Sequence, residues 1–301
     1  VAGRPAVLDP LIGPLVALAL LLSPATPVAG DPVGGNPGGG NPGGRWLGPG
    51  GEPLPFAEEA ELVAFLGTAP VVAKKELSSG STRPWKVRLE RDGVAVDAVF
   101  RRVDVRRRST KIRGRLFRDF HDSYRYECAA YEVSRMLGID RVPPCAPRRL
   151  DGEDGTMQLW IEGAMTEEAR REAGLEPPSQ RPWLLQKQTL YLFDALIYNF
   201  DRNQGNLLID KKSWQLWFID HTRSFHPSPE LPEPERIVWC ERRLWQRLRD
   251  LDEGELRRRL EPYLDPRRMA ALVERHRRLV AHLEARIAEL GEGAVLLDAD
   301  G

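Results

Sequence analysis

Apolar and polar positions follow two different rhythms along this chain. Between residues 85 and 100 the period is two: Val87 and Leu89 alternate with Lys86, Arg88 and Glu90, and beyond Asp92-Gly93 apolar residues return at Val94, Val96 and Ala98-Val99-Phe100. Strand side chains point alternately to opposite faces, and Asp-Gly suits a tight turn, so the segment predicts a β-hairpin that continues into a third strand. Arg148 to Leu150 and Thr156 to Ile161 flank a second turn, Asp151-Gly152 to Asp154-Gly155, and predict another hairpin. Elsewhere the spacing is helical. Phe56, Leu62, Val63, Phe65 and Leu66 mark a first helix in an acidic segment. Ala129, Ala130, Val133, Met136 and Leu137 mark a second, with Asp122-Ser123 as its expected cap and Gly138 as its end. Trp183 to Asn199 carries an apolar stripe, Leu207 to Ile219 holds a short hairpin, and Trp239 to Leu290 reads as two or three Arg-rich helices. A strand-rich half, about 71–165, thus precedes a helix-rich half, 180–290, which is the α+β order of a two-lobed fold.

The ends follow other rules. Residues 11–23, LIGPLVALALLLS, are apolar but shorter than a bilayer span requires, and small residues follow through Ala29-Gly30. Residues 1–30 are therefore expected to be a signal peptide or N-terminal anchor, and the protein exported: periplasmic, secreted or anchored. Cytoplasmic location is the alternative if the start is mis-called. Residues 31–55, with GNPGG twice in succession, predict a disordered tether. The folded domain is expected over 56–290, with lobes at about 71–165 and 166–290, and a disordered tail over 291–301. No membrane span is expected beyond the N-terminal apolar segment.

Composition narrows the chemistry. With 42% hydrophobic residues in 301, the chain can bury one sizeable core. Lys plus Arg and Asp plus Glu each total 44, so there is no general pull toward nucleic acid, and none is expected as a partner. The Arg-rich terminal helices are interleaved with acids, as solvated, ion-paired faces are. Three scattered cysteines exclude a zinc module and allow at most one bridged pair; Cys128, in an apolar helical pattern, reads as a buried free thiol. The five histidines show no ligand spacing for zinc.

One segment concentrates chemistry. In IYNFDRNQGNLLID, Asp201 and Asn206 stand in the D-x-x-x-x-N spacing of a kinase catalytic loop, in which the carboxylate takes the acceptor proton and the amide holds metal. The hairpin that follows would return Asp220 beside Asn206, where a second metal ligand belongs. One carboxylate, one amide oxygen, substrate phosphates and water suit a hard ion, Mg²⁺ or Mn²⁺. Taken alone the spacing is common, since Asp and Asn are ordinary turn formers. The apolar helix before it, the hairpin after it and the carboxylate at the hairpin's end make it specific.

The stretch FDALIYNFDRNQGNLLID…LWFIDHTRSF resembles the active-site region of the atypical kinases that include the phosphatidylinositol 3- and 4-kinases, the HipA-type bacterial kinases and the secretory-pathway Golgi kinases. Upstream, YECAAYEVSRMLGIDRVPP is similar to their E-x-A-A-Y helix and V-P-P step, and the likeness runs from about Ala73 to Phe225. Ordinary protein-kinase signatures are absent, with Asn199-Phe200-Asp201 and Asp220-His221-Thr222 in their places. The resemblance implies ATP as cofactor and Glu127 as the helix carboxylate that pairs with a basic residue on the third strand. Arg101 fits that basic position, where the family usually has Lys; Arg102 would face the other way. It further implies a phosphate-covering turn at Gly80, Ser81 and Thr82, and an interlobe hinge beside the adenine from Glu162 to Met165. The implied function is transfer of the γ-phosphate to a hydroxyl acceptor on protein, lipid headgroup or sugar, the partners being the nucleotide and that acceptor. The alternative is a pseudokinase or nucleotide-binding module.

Overall fold

In the computed structural model, residues 46–298 are described, apart from 79–81 and 113. The expected leader and most of the tether lie outside that range, as do Gly80 and Ser81. The tether ends earlier than position 55. Trp46 and Leu54 are buried, and Leu47 bridges to Pro53, so two apolar side chains anchor this Gly/Pro-rich stretch to the first core.

Helix α1 (Glu59–Thr68) packs Leu62, Phe65 and Leu66 against a five-stranded sheet of order β1-β2-β3-β7-β6. Its strands are β1 (Val71–Glu76), β2 (Trp85–Arg91), β3 (Val94–Arg101), β6 (Cys145–Leu150) and β7 (Glu153–Leu159). The two Asp-Gly turns are where the sequence places them. Asp92 and Gly93 have φ of 52° and 76°, Asp151 and Gly152 of 52° and 83°, the left-handed pair that matches strand twist in a two-residue hairpin.

Between β3 and the next helix lies an element with no apolar alternation to announce it. β4 (Asp104–Ile112) and β5 (Arg115–Ser123) form a separate two-stranded antiparallel ribbon. It runs into α2 (Arg125–Leu137), which ends as expected at Gly138, in the left-handed conformation with φ 60°. The expected cap is corrected: Asp122 and Ser123 belong to β5, the helix starts after Tyr124 without a side-chain cap, and the Asp122 carboxylate is bound elsewhere.

Cys128 is also corrected. It is not a free thiol but is bonded to Cys145, which ties α2 to β6; Cys240 is the buried free cysteine. The bridge closes a loop of sequence separation 17, for which chain entropy alone gives roughly 3 kcal/mol. Cys128→Ser with Cys145→Ser should lower stability by about that much, read as a fall in thermal midpoint that reductant reproduces in the parent and does not add to in the variant.

After β7, a turn at Glu162-Gly163 leads to β8 (Ala164–Thr166), α3 (Glu167–Glu172) and the long helix α4 (Gln180–Ile197). α4 buries Leu190, Leu192, Phe193, Leu196 and Ile197, residues on more than one side, as a helix central to its layer must. β9 (Leu207–Asp210) and β10 (Leu216–Phe218) make the expected hairpin, and β9 pairs with β8 on its other edge. β11 (Cys240–Glu241), α5 (Arg242–Arg249), α6 (Glu253–Leu260) and α7 (Pro266–Leu290) complete the second core. Several of their arginines are ion-paired as expected, Arg277 with Glu253 at 2.8 Å and Arg278 with Glu274 at 2.9 Å among them. The expected disordered tail is corrected over its first residues: α8 (Glu292–Val295) and β12 (Leu296–Leu297) pack back, with Val295 and Leu296 buried and β12 parallel to β11. No helix among the described residues is long and apolar enough to cross a membrane.

Candidate active site

α4 ends with Tyr198 in the left-handed conformation, and the chain enters an irregular loop from Asn199 to Asn206 that delivers β9. Arg202 organises it. Its guanidinium grips Asp194 of α4 twice, at 2.8 and 2.9 Å, and donates to the carbonyls of Asn206 and, at 2.7 Å, Ile219. Ile219 N–H in turn donates to the Asn206 carbonyl at 3.3 Å. One planar cation thus holds the residue before Asp220 against Asn206, which brings the two expected metal ligands together.

Asn206 is almost fully buried, and its side-chain N–H donates to the Asp201 carbonyl at 3.2 Å. That use of the nitrogen leaves the amide oxygen as the group able to meet a cation. Asp220 sits at φ 61°, a conformation that costs an L-residue energy but that Asp tolerates better than most. Its carboxylate receives the Thr222 hydroxyl at 3.4 Å. Among the described residues no three His, Cys, Asp or Glu side chains form a metal cage. Two protein oxygen donors, with phosphate and water to complete the shell, are the set a hexacoordinate hard cation takes in phosphoryl-transfer sites.

The Asp201 carboxylate accepts from Arg223 at 2.7 Å, and the same guanidinium binds Asp122 at 2.8 Å. Arg223 was passed over in the sequence, and Asp122 was read there only as a helix cap. The Asp122 contact spans 101 positions, so no local pattern carries it.

Glu127 is completely buried and meets three groups. Arg101 Nε lies 3.1 Å from Oε1, although its N–H is not well directed at that oxygen; His221 N–H donates to Oε1 at 3.0 Å; and His221 Nδ1 stands 3.3 Å from Oε2. Arg202 can only donate, and it lies 3.2 Å from His221 Nε2, so the neutral ring carries its proton on Nδ1, toward Glu127. His221 is not a metal ligand but the link between the loop cation and the helix carboxylate. Burial works against the Glu127 anion, but Arg101 and His221 outweigh it and hold its pKa below the ordinary 4.5. Burial likewise opposes charge on Arg101, and Glu127, Asp220 and Asp122 overcome it, keeping the guanidinium protonated. Arg102 goes the other way, to Glu153 at 3.0 Å and over the Trp85 ring.

A depressed carboxyl pKa stabilises the fold fully above the unfolded value and loses that contribution as pH falls through the folded one. Glu127→Gln should therefore flatten the acid limb of the stability profile below pH 4.5, while the parent steepens there; urea unfolding across pH reads the difference.

The remaining expected residues are less concentrated. Thr82 is partly exposed, two residues before Pro84, whose carbonyl accepts from Leu77 N–H at 2.9 Å. Glu162 lies in the turn between β7 and β8, its carboxyl pKa raised by burial. Met165 is in β8, paired with Ile209 and packed on the second core. Lys86, another residue the sequence reading passed over, reaches Asp97 at 2.8 Å and Glu162 at 3.5 Å across the face of Trp160. It places a second cation beside the turn at Glu162.

No family model and no curated protein matches the chain in sequence. Solved structures match in fold. The hydra Fam20 protein with sugar aligns over 79% of this chain and 92% of its own, with TM-score 0.61 at 16% identity. The Golgi casein kinase with Mn and ADP bound aligns over 80% and 78%, with TM-score 0.60 at 16% identity. The chain has the two-lobed fold of these atypical kinases, strand-rich first lobe and helical second.

Proposed function

We propose that the chain is an ATP-dependent atypical kinase that moves the γ-phosphoryl group to a hydroxyl acceptor. The observation that carries this reading is Arg202, which binds the backbone carbonyls of Asn206 and Ile219 together and so brings the residue before Asp220 next to Asn206 at the end of the Asp201 loop. Asp201 accepts the acceptor's proton. Asn206 and Asp220 hold Mg²⁺ or Mn²⁺, which supplies charge neutralisation on the phosphates. Arg101, seated on Glu127, clamps phosphate; the Gly80-Ser81-Thr82 turn covers it, and the Glu162 to Met165 segment borders the base. Phosphoryl transfer asks a protein for positioning and electrostatics, which is what this set offers. Export is part of the reading: a disulfide between α2 and β6 suits an oxidising compartment.

A non-catalytic nucleotide-binding module is the second reading. It is favoured by Arg101 at a lysine position and by the hold of Arg223 on the Asp201 carboxylate. Turnover separates the two. The kinase reading predicts metal-dependent passage of labelled γ-phosphate to peptide Ser/Thr, inositol or sugar; nucleotide binding without transfer to any of these would select the second.

A further inference from the structure

The chain is neutral overall, yet residues 104–123 contain seven Lys and Arg against three Asp. All three acids are already engaged: Asp104 by His121, Asp119 by Arg267 and Asp122 by Arg223. The cations on the outer strand are not. Arg107, Arg108 and Lys111 are exposed and form no ion pair or hydrogen bond among the described residues. The β4-β5 ribbon has only two strands, so the far edge of β4 presents unpaired backbone N–H and C=O groups. That edge runs for nine residues, roughly 30 Å at strand rise.

The ribbon is fixed beside the candidate active site. Phe117 stacks on Phe200, the residue before Asp201, with ring centroids 4.3 Å apart, and Phe120 approaches the same ring at 6.3 Å. Two residues three apart on a regular strand face opposite ways. Asp119, in the left-handed conformation at φ 53°, turns the strand between them. Further ties are His226 Nε2 to the Arg118 carbonyl at 2.7 Å and Ser123 N–H to the Thr222 carbonyl at 2.8 Å.

We infer that the β4 edge is a docking site for an extended acidic segment of a protein acceptor, which adds as a third strand and is held by Arg107, Arg108 and Lys111. Main-chain hydrogen bonds supply the seat and the guanidinium and ammonium groups select carboxylate side chains. A segment seated there is two strands, roughly 10 Å, from β5, whose Phe117 and Phe120 pack on Phe200 beside Asp201, so the ribbon tethers the acceptor near that loop. The same arginines on an open edge also discourage pairing with a second copy of this chain, which fits an edge kept for an acidic partner. The inference deepens the kinase reading by naming an acidic protein as the acceptor class. Its test is binding without nucleotide, so that it can fail separately from phosphoryl transfer.

The probe is a fluorescent ten-residue Glu/Ser peptide, measured by anisotropy against the full chain at low and high salt. Binding should weaken with salt, and Arg107→Glu with Arg108→Glu should reduce affinity by at least about tenfold while leaving the thermal midpoint in place. Peptides of the same charge carrying N-methyl groups on alternate residues, in both registers, should bind at least about tenfold more weakly, because methylation removes the strand-forming N–H groups. The inference is overturned if the acidic peptide does not bind, if the charge-reversed chain binds it equally, or if the N-methylated peptides bind as well as the parent peptide. It is equally overturned if phosphatidylserine vesicles or a sulfated polysaccharide bind the ribbon and the peptide does not.

Discussion

Asp201→Asn should bind ATP and metal as the parent does and transfer phosphate at least about a hundredfold more slowly, the loss expected when a positioned general base is removed. The substitution is nearly isosteric. The amide oxygen can still accept from Arg223, and the backbone carbonyl that receives Asn206 is unchanged, so the loop should keep its shape. The loss should fall on kcat more than on KM, because in the proposed reaction the carboxylate acts on the acceptor proton and not on nucleotide affinity. Steady-state kinetics with any acceptor that the parent phosphorylates reads this. Equal rates in parent and variant would remove Asp201 from the chemistry.

The second large effect concerns the clamp. Arg101→Ala leaves the fully buried Glu127 with His221 as its neighbour and no cation. Breaking a buried pair from one side costs up to several kcal/mol, because the remaining charge is stranded. Stability should therefore drop together with nucleotide affinity. Arg101→Lys keeps the charge and supplies the compact ammonium that the sequence resemblance implies at this position, so activity should be retained or increased. Arg102→Ala is the control, since that side chain leaves toward Glu153. ATP affinity, transfer rate and urea unfolding of the three variants beside the parent decide the matter. Silence of both alanine variants would end the clamp assignment, and nucleotide binding without transfer in parent and Arg101→Lys would select the pseudokinase reading.

Much of this site could be read along the chain because its parts are short and local. The D-x-x-x-x-N spacing, the hairpin that returns to Asp220 and the helix bearing Glu127 are each fixed by neighbours within a few turns, and the structure brings them together through Arg202, His221 and Arg101. What escaped was long-range or lacked a period. β4 is exposed on both faces for most of its length, so it shows no alternation of apolar and polar positions, and Arg106-Arg107-Arg108 reads as a charge run. Asp122 looked like a helix cap because caps are local, whereas its partner Arg223 lies 101 positions away. The Cys128–Cys145 bridge joins a helix to a strand, and neither helical period nor cysteine count reveals which side chains face each other there. Trp46 and Leu54 are isolated anchors in Gly/Pro-rich surroundings, where composition outweighs two residues.

The central claim is that Asn206 and Asp220 form, with nucleotide phosphates, a metal-dependent ATP site. Thermal unfolding with ATP and Mn²⁺ or Mg²⁺ tests it most directly, with Asp220→Ala beside the parent. Ligand at about a hundred times its Kd stabilises a fold by about 2.7 kcal/mol. For a domain of this size that is a rise of roughly 5–10 °C. The parent should show that rise with ATP and metal together and little with either alone, while Asp220→Ala should unfold near the parent's ligand-free temperature and show no rise. A parent midpoint unmoved by ATP and metal, or a rise that Asp220→Ala retains in full, would contradict the account.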